Sequence, residues 1–371
     1  MLCPELFNHL LFYMETKDTT KNQPTEKEVR AEIEQNEKQT VLQCLKILNA
    51  LCVAIALLPF VRMYIQNGKT ESIFESSSQI MTAKAIDKLI KQALKKLLVT
   101  IQTGTLNAWK NGETLSISQL IGRVPEKTLK GLQEAGTFAH RGKAANKFIE
   151  RKLRGLTLSD RVWKLENGIK TQIETTLQLA IVDGRSAIDT ANDLKKYLKN
   201  PDILFRRVRD EAGNLQLSKA AREYHPGIGV YRSPFANAFR LARNEINNAY
   251  RAAHWNQIQE FDFVTGIKIN LSNNHPVTDI CDTLKGIYPK TFQWHGWHVQ
   301  CRCNMTTELC SPAQLANMER GVKPPQIKEL PESIKQWTID NKHRFKPNES
   351  GQTGIEWIDS NNLIKSTENR R

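Results

Sequence analysis

The sequence predicts a mainly α-helical protein with a small α+β C-terminal domain and helical N-terminal and middle regions. Apolar residues recur every three or four positions over much of the chain, whereas strand-like alternation occurs only at Phe263–Leu271. With 371 residues, the chain exceeds the usual size of one domain. We expect four parts, which are an N-terminal arm with an apolar helix (1–70), a helical region (71–230), a folded C-terminal domain (231–310) and a polar tail (311–371).

The first 70 residues combine a polar stretch with an apolar one. Residues 15–40 are charged and lack an apolar period, which predicts a flexible arm. Ile47–Val61 is almost wholly apolar, but its roughly fifteen residues fall short of the ~20 that span a bilayer. We therefore expect a buried helix or a subunit interface there rather than a membrane span.

Three helices are predicted in the middle region, after a linker at Gly68–Ser78. Ala85–Gln102 carries Ile, Leu and Ala on one face and lysines on the rest. Such a basic amphipathic helix can lie on a membrane or on DNA, but more often it faces a core, and we expect that arrangement. Ser159–Gly184 has the same apolar spacing, and Ser186–Asn200 ends before Pro201.

The C-terminal domain should begin with a long helix. The pair Ser233-Pro234 supplies an N-cap and a proline at the first helical position, and the helix should run to about Gln259. A strand is expected at Phe263–Leu271. After residue 310 the composition turns to proline and polar residues, which predicts a loosely attached tail. A chain that ends near Pro312 should therefore keep its fold.

Basic residues outnumber acidic ones by 53 to 39, which gives a formal charge of +14. This excess favours contact with nucleic acid or with an acidic protein surface. The sequence contains no Gly-rich phosphate loop or dinucleotide fingerprint. The basic stretch between Arg141 and Lys170 is the best candidate for weak, non-specific contact with DNA phosphates. Its candidate side chains are Lys143, Lys147, Arg151, Lys152 and Arg154.

The seven cysteines are distributed unevenly along the chain. Three lie near the N-terminus, and the other four lie between Cys281 and Cys310. The odd number and the lack of a secretory-signal pattern predict cytoplasmic thiols, which could bind metal, rather than a disulfide framework.

Cys281 and the segment His298–Cys303 supply one possible tetrahedral set of zinc ligands. Four protein ligands would leave no open coordination position, so zinc there would be structural and not hydrolytic. His275 and His295 are alternatives to any one of the four. The candidate metal ligands are Cys281, His298, Cys301 and Cys303.

The same residues could instead pack a small core without metal, with Asp279 and Asp282 capping turns. The sequence leaves both arrangements open.

Three motifs follow one another in the C-terminal domain. They are Arg243-Asn-Glu245, Cys281-Asp-Thr-Leu-Lys-Gly286 and His298-Val-Gln-Cys-Arg-Cys303. Together they resemble the phage Mu F-like head morphogenesis domain of minor head proteins in tailed phages and prophages. The resemblance covers about a fifth of the chain, Ser233–Leu309. Val299 stands where the family usually has proline, which would only stiffen the turn. The Arg-x-Glu pair alone is uninformative, because both side chains would be solvated in many helices.

The resemblance implies a low-copy, portal-associated protein that acts in procapsid assembly and in DNA packaging or ejection. It implies the portal protein, scaffold or major capsid protein as partners, with non-specific DNA contact as a further candidate. The expected location is the phage head, after assembly in the host cytoplasm. We expect a structural protein without catalytic residues, and not an enzyme. The last ~60 residues are too few for an added effector domain to bury its own core.

A metal-dependent nuclease is the main alternative from another functional class. It could use His275, Asp279, Asp282 and His295, and the net charge would suit a DNA substrate. The sequence, however, has no helical His-Glu-x-x-His pair and no recognisable paired-carboxylate motif at a strand end. A zinc-stabilised nucleic-acid-binding protein is the second alternative, but Asn304–Gln314 lacks the Arg and Asn pattern of a recognition helix.

Overall fold

A computed structural model gives the fold of the protein. It describes residues 23–59, 61, 77–183, 185–205, 208–209, 211–213, 215–216, 231–273, 277–318, 320–345, 347 and 353–364. Within these residues the fold is mainly α-helical, with a small three-stranded antiparallel sheet in the C-terminal region. The predicted fold class is therefore confirmed.

The first half of the fold is built from helices. They are α1 (Glu26–Ala56), α2 (Ser77–Ser118), α3 (Glu126–Glu134), α4 (Gly142–Glu150), α5 (Leu158–Trp163), α6 (Leu165–Val182), α7 (Ala187–Lys199), α8 (Pro201–Phe205) and α9 (Pro234–Ile258). A short hairpin of β1 (Val208–Arg209) and β2 (Leu215–Gln216) lies between α8 and α9.

The second half contains the sheet and several short helices. Its elements are β3 (Val264–Asn270), α10 (Ile280–Leu284), β4 (Gly286–Pro289), β5 (Asn304–Leu309), α11 (Pro312–Met318), α12 (Glu332–Asn341), a 3₁₀ turn (Lys342–Arg344) and α13 (Glu356–Ser360).

The prediction of a flexible arm over residues 15–40 is wrong from Glu26 onward, because α1 begins there. Thr25 caps the helix, and its backbone N–H donates to the Glu28 carboxylate at 2.8 Å. Val29 and Ile33 then follow on the buried face. A capping box followed by apolar residues at helical spacing is a local signal for a helix start, which the polar composition conceals. Residues 15–22 lie outside the described residues.

Of the apolar stretch predicted at Ile47–Val61, residues 47–56 form the last ten residues of α1. Cys44, Leu48 and Ile55 of this helix are fully buried in the core of a helical bundle. This packing agrees with the buried helix expected from the sequence. By length and composition alone α1 could also cross a membrane, a criterion that buried helices of a bundle meet as well.

The other predicted helices are present, with changed bounds. Ala85–Gln102 lies inside α2, which extends further at both ends, including two residues of the predicted linker. Ser186 caps α7 as expected. The predicted helix Ser159–Gly184 is divided at Lys164 into α5 and α6. Gly184, the predicted stop, lies outside the described residues.

Helix α2 packs along both α1 and α9, while α6 and α7 cover the remaining side of the bundle. Its interior is aliphatic, with Leu48, Ile90, Leu94, Ile173 and Ala242 at zero exposure. Burial of each large aliphatic side chain contributes roughly 1.5–3 kcal/mol, so the helical spacing of these residues supplies a large part of the bundle's stabilisation.

Helix α9 connects the bundle to the sheet. It begins as predicted, with the Ser233 hydroxyl accepting from the Ala236 N–H at 3.1 Å and Pro234 at the first position. Its first turns enter the bundle core, whereas Tyr250 in its middle packs in a separate cluster with Trp109. Its end, Ile258, belongs to the core beneath the sheet.

The sheet has β3 in the centre, with β4 and β5 antiparallel on its two sides. Ile267 of β3 is opposite Tyr288 of β4 and Thr307 of β5. The strand predicted at Phe263–Leu271 is confirmed as β3. The strand's alternation is visible near its end, where Ile267 and Ile269 are buried and Lys268 is exposed.

The prediction of a loosely attached tail is wrong for the described residues after 310. Trp357 is buried, and its indole N–H donates to the Trp297 carbonyl at 3.1 Å. Ile334 and Ile358 are buried in the same core, and the Ile327 N–H donates to the Thr265 carbonyl at 3.0 Å. The segment is polar on average, but a few large apolar side chains anchor it, and average composition conceals such anchors. We call β3–β5 with α10, α12 and α13 the C-terminal unit.

Candidate metal centre

The short helix α10 positions Cys281. The Asp279 carboxylate caps this helix by accepting from the Cys281 N–H at 2.6 Å, and Asp282 accepts from the Asp279 N–H at 2.9 Å. The expected capping role of these two aspartates is therefore confirmed. Because the cap fixes the first turn of α10, it also fixes the Cys281 side chain.

A turn brings Cys301 and Cys303 to the same place. The Cys301 N–H donates to the His298 carbonyl at 3.1 Å, and Gln300 adopts a left-handed φ of 62°. The Gln300 N–H donates to the Asn244 side chain of α9 at 2.8 Å, which holds the turn against the helix. Strand β5 begins only at Asn304. Residues two apart in an extended segment lie on the same face, and Cys301 and Cys303 are both buried with the exposed Arg302 between them.

Cys281, Cys301 and Cys303 form a buried group that could hold a metal ion, and we call it the cysteine cluster. Their three sulfur atoms lie within 4.8 Å of one another. The Sγ atoms of Cys281 and Cys301 are 3.7 Å apart. Two sulfurs bound to one tetrahedral zinc ion at about 2.3 Å would lie about 3.8 Å apart, so this distance fits a shared ion.

His298 lies beside the cluster but in a second, overlapping group with Cys281 and Asp279. The structure thus brings His298 together with Cys281, but not into one group with Cys301 and Cys303. Its Nδ1 is 2.8 Å from the Val299 carbonyl and its Nε2 is 3.3 Å from the Asp279 carboxylate. Both ring nitrogens face oxygen acceptors, and a neutral imidazole can donate to only one of them.

A buried arginine adjoins the cysteine cluster. Arg251 of α9 is 1% exposed, and its Nη2 donates to the carbonyls of Cys301 at 2.6 Å and Cys303 at 2.9 Å. The guanidinium also stacks on Trp294, 4.5 Å from the ring centroid. Among the described residues, no carboxylate forms an ion pair with it. A buried cation is costly unless negative charge lies nearby, and thiolates in the cluster would supply that charge.

The surroundings of Cys301 favour its thiolate. Hydrogen bonds from Cys281 and Cys303 lower the pKa of the Cys301 thiol, and the charge of Arg251 lowers it further. The bundle cysteines behave differently, because burial raises the pKa of Cys44 and of Cys52 to about 12. Within the cluster, however, the hydrogen bond with Cys301 raises the pKa of Cys281. For Cys303 the hydrogen bond with Cys281 lowers the pKa, but that with Cys301 and burial outweigh it and raise the pKa to about 11. Metal ligands must be thiolates, so without metal only the Cys301 thiol is shifted toward the form that a metal ion requires.

Gly296 allows the close approach of Arg251 to the cluster. Its φ of +97° is unfavourable for other residues. A Cβ atom at this position would lie 2.7 Å from Arg251 Nη1 and 3.2 Å from Cys301 Cβ. Any larger residue would therefore displace the guanidinium or the sulfur ligand.

The remaining candidate ligands lie apart from the cluster. The His295 ring is enclosed by the protein, and its Nε2 is 3.4 Å from the Ser360 hydroxyl. Burial lowers the pKa of His295. Neither His295 nor Asp282 belongs to either potential metal-binding group found among the described residues. His275 lies outside the described residues.

Only part of the predicted DNA-contact set is available at the surface. Lys143, Lys147 and Lys152 are exposed, with the first two on α4. Arg151 instead turns inward, where it forms ion pairs with Glu245 at 3.0 Å and Glu356 at 3.2 Å. The predicted set is thus divided between the surface and the interior.

Arg154 is exposed, but it is also committed to a contact within the protein. Its Nη2 donates to the Thr353 carbonyl at 2.8 Å. Its φ of 51° places it in a tight turn after α4.

Glu245 of the Arg-x-Glu motif is the centre of a buried ion-pair network. It has no exposure and pairs with Arg161 at 2.5 Å as well as with Arg151. Burial opposes its ionisation, but the two arginines outweigh burial and lower the pKa of the Glu245 carboxyl. The expectation of a solvated glutamate was wrong, because a single-helix pattern does not contain the arginines that come from other elements.

Arg251 and the Glu245 network are the site features that the sequence did not reveal. Arg251 stands on the apolar face of α9, between Tyr250 and the buried Ala253. The position of an arginine within the apolar period of the predicted helix, beside Tyr250 and Ala253, was the available signal, since an arginine on a buried face needs a partner inside the protein.

The chain matches no family model, no curated protein and no solved structure. The Mu F-like resemblance therefore depends on the three sequence motifs alone.

Proposed function

We propose that this is a minor head morphogenesis protein of a tailed phage or prophage, whose C-terminal unit is stabilised by a zinc ion. The observation that supports this proposal is the convergence of the three motifs. Glu245, Cys281 and Cys301 are far apart in sequence, but all three are buried where α9 meets the C-terminal unit. Motifs that occurred together in the sequence only by chance would not be expected to lie close together in the fold.

The contacts between the motifs are direct. Arg243 donates to the Gln300 side chain at 3.2 Å, and the neighbouring Asn244 accepts from the Gln300 N–H. Gly286, which ends the middle motif, has a φ of +151° that favours glycine. Leu284 of that motif has zero exposure. These motif positions therefore have structural tasks, which agrees with a structural role for the domain.

Zinc is the metal that fits the cysteine cluster best, because thiolates are its preferred soft ligands. Cys281, Cys301 and Cys303 would hold it, and His298 is the candidate for the fourth position, since it is grouped with Cys281. Bound zinc would supply a closed structural cross-link between α10 and the turn before β5. Three thiolates with Zn²⁺ carry one net negative charge, which would balance Arg251.

We propose the portal protein, scaffold or major capsid protein as partners, with location in the phage head after assembly in the host cytoplasm. A nuclease activity has less support. It would require Asp279 and Asp282 as free carboxylates, but both accept backbone N–H groups in the cap of α10. We therefore expect purified protein to leave plasmid DNA intact in magnesium, manganese or zinc.

The head-assembly role can be tested by co-producing the chain with the portal, scaffold and major capsid proteins of its own phage or prophage. Tagged protein should copurify with procapsids at low copy number. Procapsids that assemble normally and contain none of it would overturn the proposal. Portal and terminase genes directly upstream would support it independently.

The zinc site can be tested by metal analysis of purified protein. We expect about one zinc per chain, and Cys301→Ser should reduce this at least severalfold. Cys310→Ser is the matched control, because Cys310 lies in neither candidate group and should keep the metal. A metal-free wild-type protein after refolding with zinc would contradict the assignment.

A further inference from the structure

Helix α2 presents four lysines on one exposed face. At 100° of rotation and 1.5 Å of rise per residue, positions 84, 88, 91 and 95 fall within an arc of about 60° and span about 16 Å. All four are exposed. We call them the lysine ladder, which consists of Lys84, Lys88, Lys91 and Lys95.

The positive charge of the ladder is not compensated by nearby acids. Asp87 lies in the same surface depression, which has a volume of about 440 Å³, but it forms an ion pair with Lys170 at 3.0 Å. In the part of the chain that the structure describes, no carboxylate lies within 4.0 Å of a ladder ammonium group. Gln92 adds a neutral hydrogen-bonding side chain to the depression.

The ladder is also rigidly held. The opposite face of α2 carries Ile90, Leu94 and Leu97, which have zero exposure in the bundle core. The four lysine side chains therefore extend from a helix whose opposite face is packed in the bundle core. This preorganisation lowers the cost of holding four cations in a row against a charged partner.

The chemistry of the ladder fits a row of phosphates. Lysines are compact charges that contact phosphate without reading bases. No aromatic residue lies in Lys84–Lys95. This face therefore lacks the aromatic rings on which proteins that bind single-stranded nucleic acid stack the bases. A membrane fits less well, because the apolar face of α2 is buried. Among the residues whose side chains the structure describes, only Met81 and Val99 are exposed large apolar residues near the ends of the ladder.

We propose that the lysine ladder binds the backbone of double-stranded DNA without sequence preference. This goes beyond the proposed head-assembly role and stands independently of it. It also assigns the main contact to α2 and not to the stretch between Arg141 and Lys170, where Arg151 is committed to Glu245 and Glu356.

The test measures binding of the full chain to a mixed-sequence duplex of about 30 base pairs by fluorescence anisotropy. Four phosphate contacts predict a log-log salt slope of about −3.6, so affinity should fall on the order of 100-fold between 50 and 200 mM salt. The variant K84Q/K88Q/K91Q/K95Q should bind at least about tenfold more weakly at 50 mM, with a nearly flat salt dependence. Glutamine keeps the helix, and circular dichroism checks this.

The matched control is K143Q/K147Q/K152Q/K164Q, which removes the same charge from exposed lysines elsewhere. The affinity of this variant for the duplex should stay within about threefold of the wild type, and its log-log salt slope should be largely retained. Equal losses of affinity in both variants would overturn the ladder as a site. So would a ladder variant that keeps its affinity, or a wild-type protein that does not bind the duplex.

The second part of the experiment measures binding to vesicles that contain phosphatidylserine. Binding to vesicles but not to duplex would assign the surface to membranes and overturn the DNA proposal.

Discussion

The helical bundle and the C-terminal unit fill their interiors with different chemistry. In the bundle, aliphatic side chains such as Leu94 and Ile173 meet at helical spacing, and no one of them has a special partner. In the C-terminal unit, indole rings surround thiols and a guanidinium, and Trp297 lies within 5.0 Å of Trp357 by ring centroids. The bundle has many interchangeable contacts, whereas the C-terminal unit has a few specific ones.

This difference predicts where the protein is sensitive to change. Close-packed aliphatic cores tolerate volume-conserving substitutions at a cost below about 1.5 kcal/mol. Buried polar groups do not, because removal of one partner leaves the other without its hydrogen bonds. We therefore expect the largest single-site effects at the polar groups of the C-terminal unit and its junction with α9. Four predictions test this, from the largest expected effect to the smallest.

Truncation after Pro312 should have the largest effect. It removes Ile334, Trp357, Ile358 and Leu363 from the core of the C-terminal unit. Each buried large apolar side chain contributes roughly 1.5–3 kcal/mol, so the loss exceeds about 5 kcal/mol and the unit should unfold. Limited proteolysis should digest the unit while helices of the bundle persist. A truncated chain as resistant as the full one would show that the sequence-based expectation of a dispensable tail was right.

Arg251→Met should have the largest effect of a single substitution. It removes the donors that serve the carbonyls of Cys301, Cys303 and His295. We expect a loss of roughly 3–5 kcal/mol in the free energy of unfolding, measured by urea denaturation with tryptophan fluorescence. Arg302→Met is the control, because the Arg302 side chain is 53% exposed and should change stability by less than about 0.5 kcal/mol. If Arg251→Met and Arg302→Met lowered the free energy of unfolding equally, the distinction between specific and interchangeable contacts would not hold.

Glu245→Gln should cost about 3 kcal/mol at pH 7, because Arg151 and Arg161 lose the charge between them. The pKa of Glu245 is lowered from its ordinary 4.5, so this stabilisation is present above pH 4.5 and is lost as the pH falls through the lower folded value. The stability difference between wild type and variant should therefore shrink below pH 4.5. Glu150→Gln, at an exposed position, is the control, and a difference that stays constant down to pH 3 would contradict the ion-pair account.

The same contrast explains how much the sequence could predict. The helix within α2, the cap of α9 at Ser233 and the strand β3 follow from local spacing and capping, and they were predicted. The start of α1 was not predicted, although Thr25 and Glu28 form a local capping box. The polar composition of residues 15–40 indicated a flexible arm instead. Local patterns therefore describe the bundle well where they are read residue by residue.

The candidate site depends on contacts that local patterns do not contain. Proximity of Cys281 to Cys301 could be predicted from motif order, but Arg251 and the pairing of Glu245 with Arg161 join residues 50 or more positions apart. The docking of Trp357 on Trp297 spans 60 positions. Such contacts arise from tertiary packing, and a single sequence gives no direct measure of them.

The smallest effect is expected at an ion pair with the same chemistry as the Glu245 network but more exposure. Lys170 and Asp87 are 3.0 Å apart on the bundle surface, with side chains 38% and 35% exposed. The hydrogen bond that Lys170 donates to Asp87 raises the pKa of Lys170, so any stabilisation is present below pH 10.5 and is lost as the pH rises through the higher folded value. Solvent screens both charges, and Lys170→Met should cost no more than about 1 kcal/mol in urea denaturation at pH 7. A loss close to that of Glu245→Gln would mean that the pairing of charges, and not their burial, decides stability, and the contrast between the two regions would then fail.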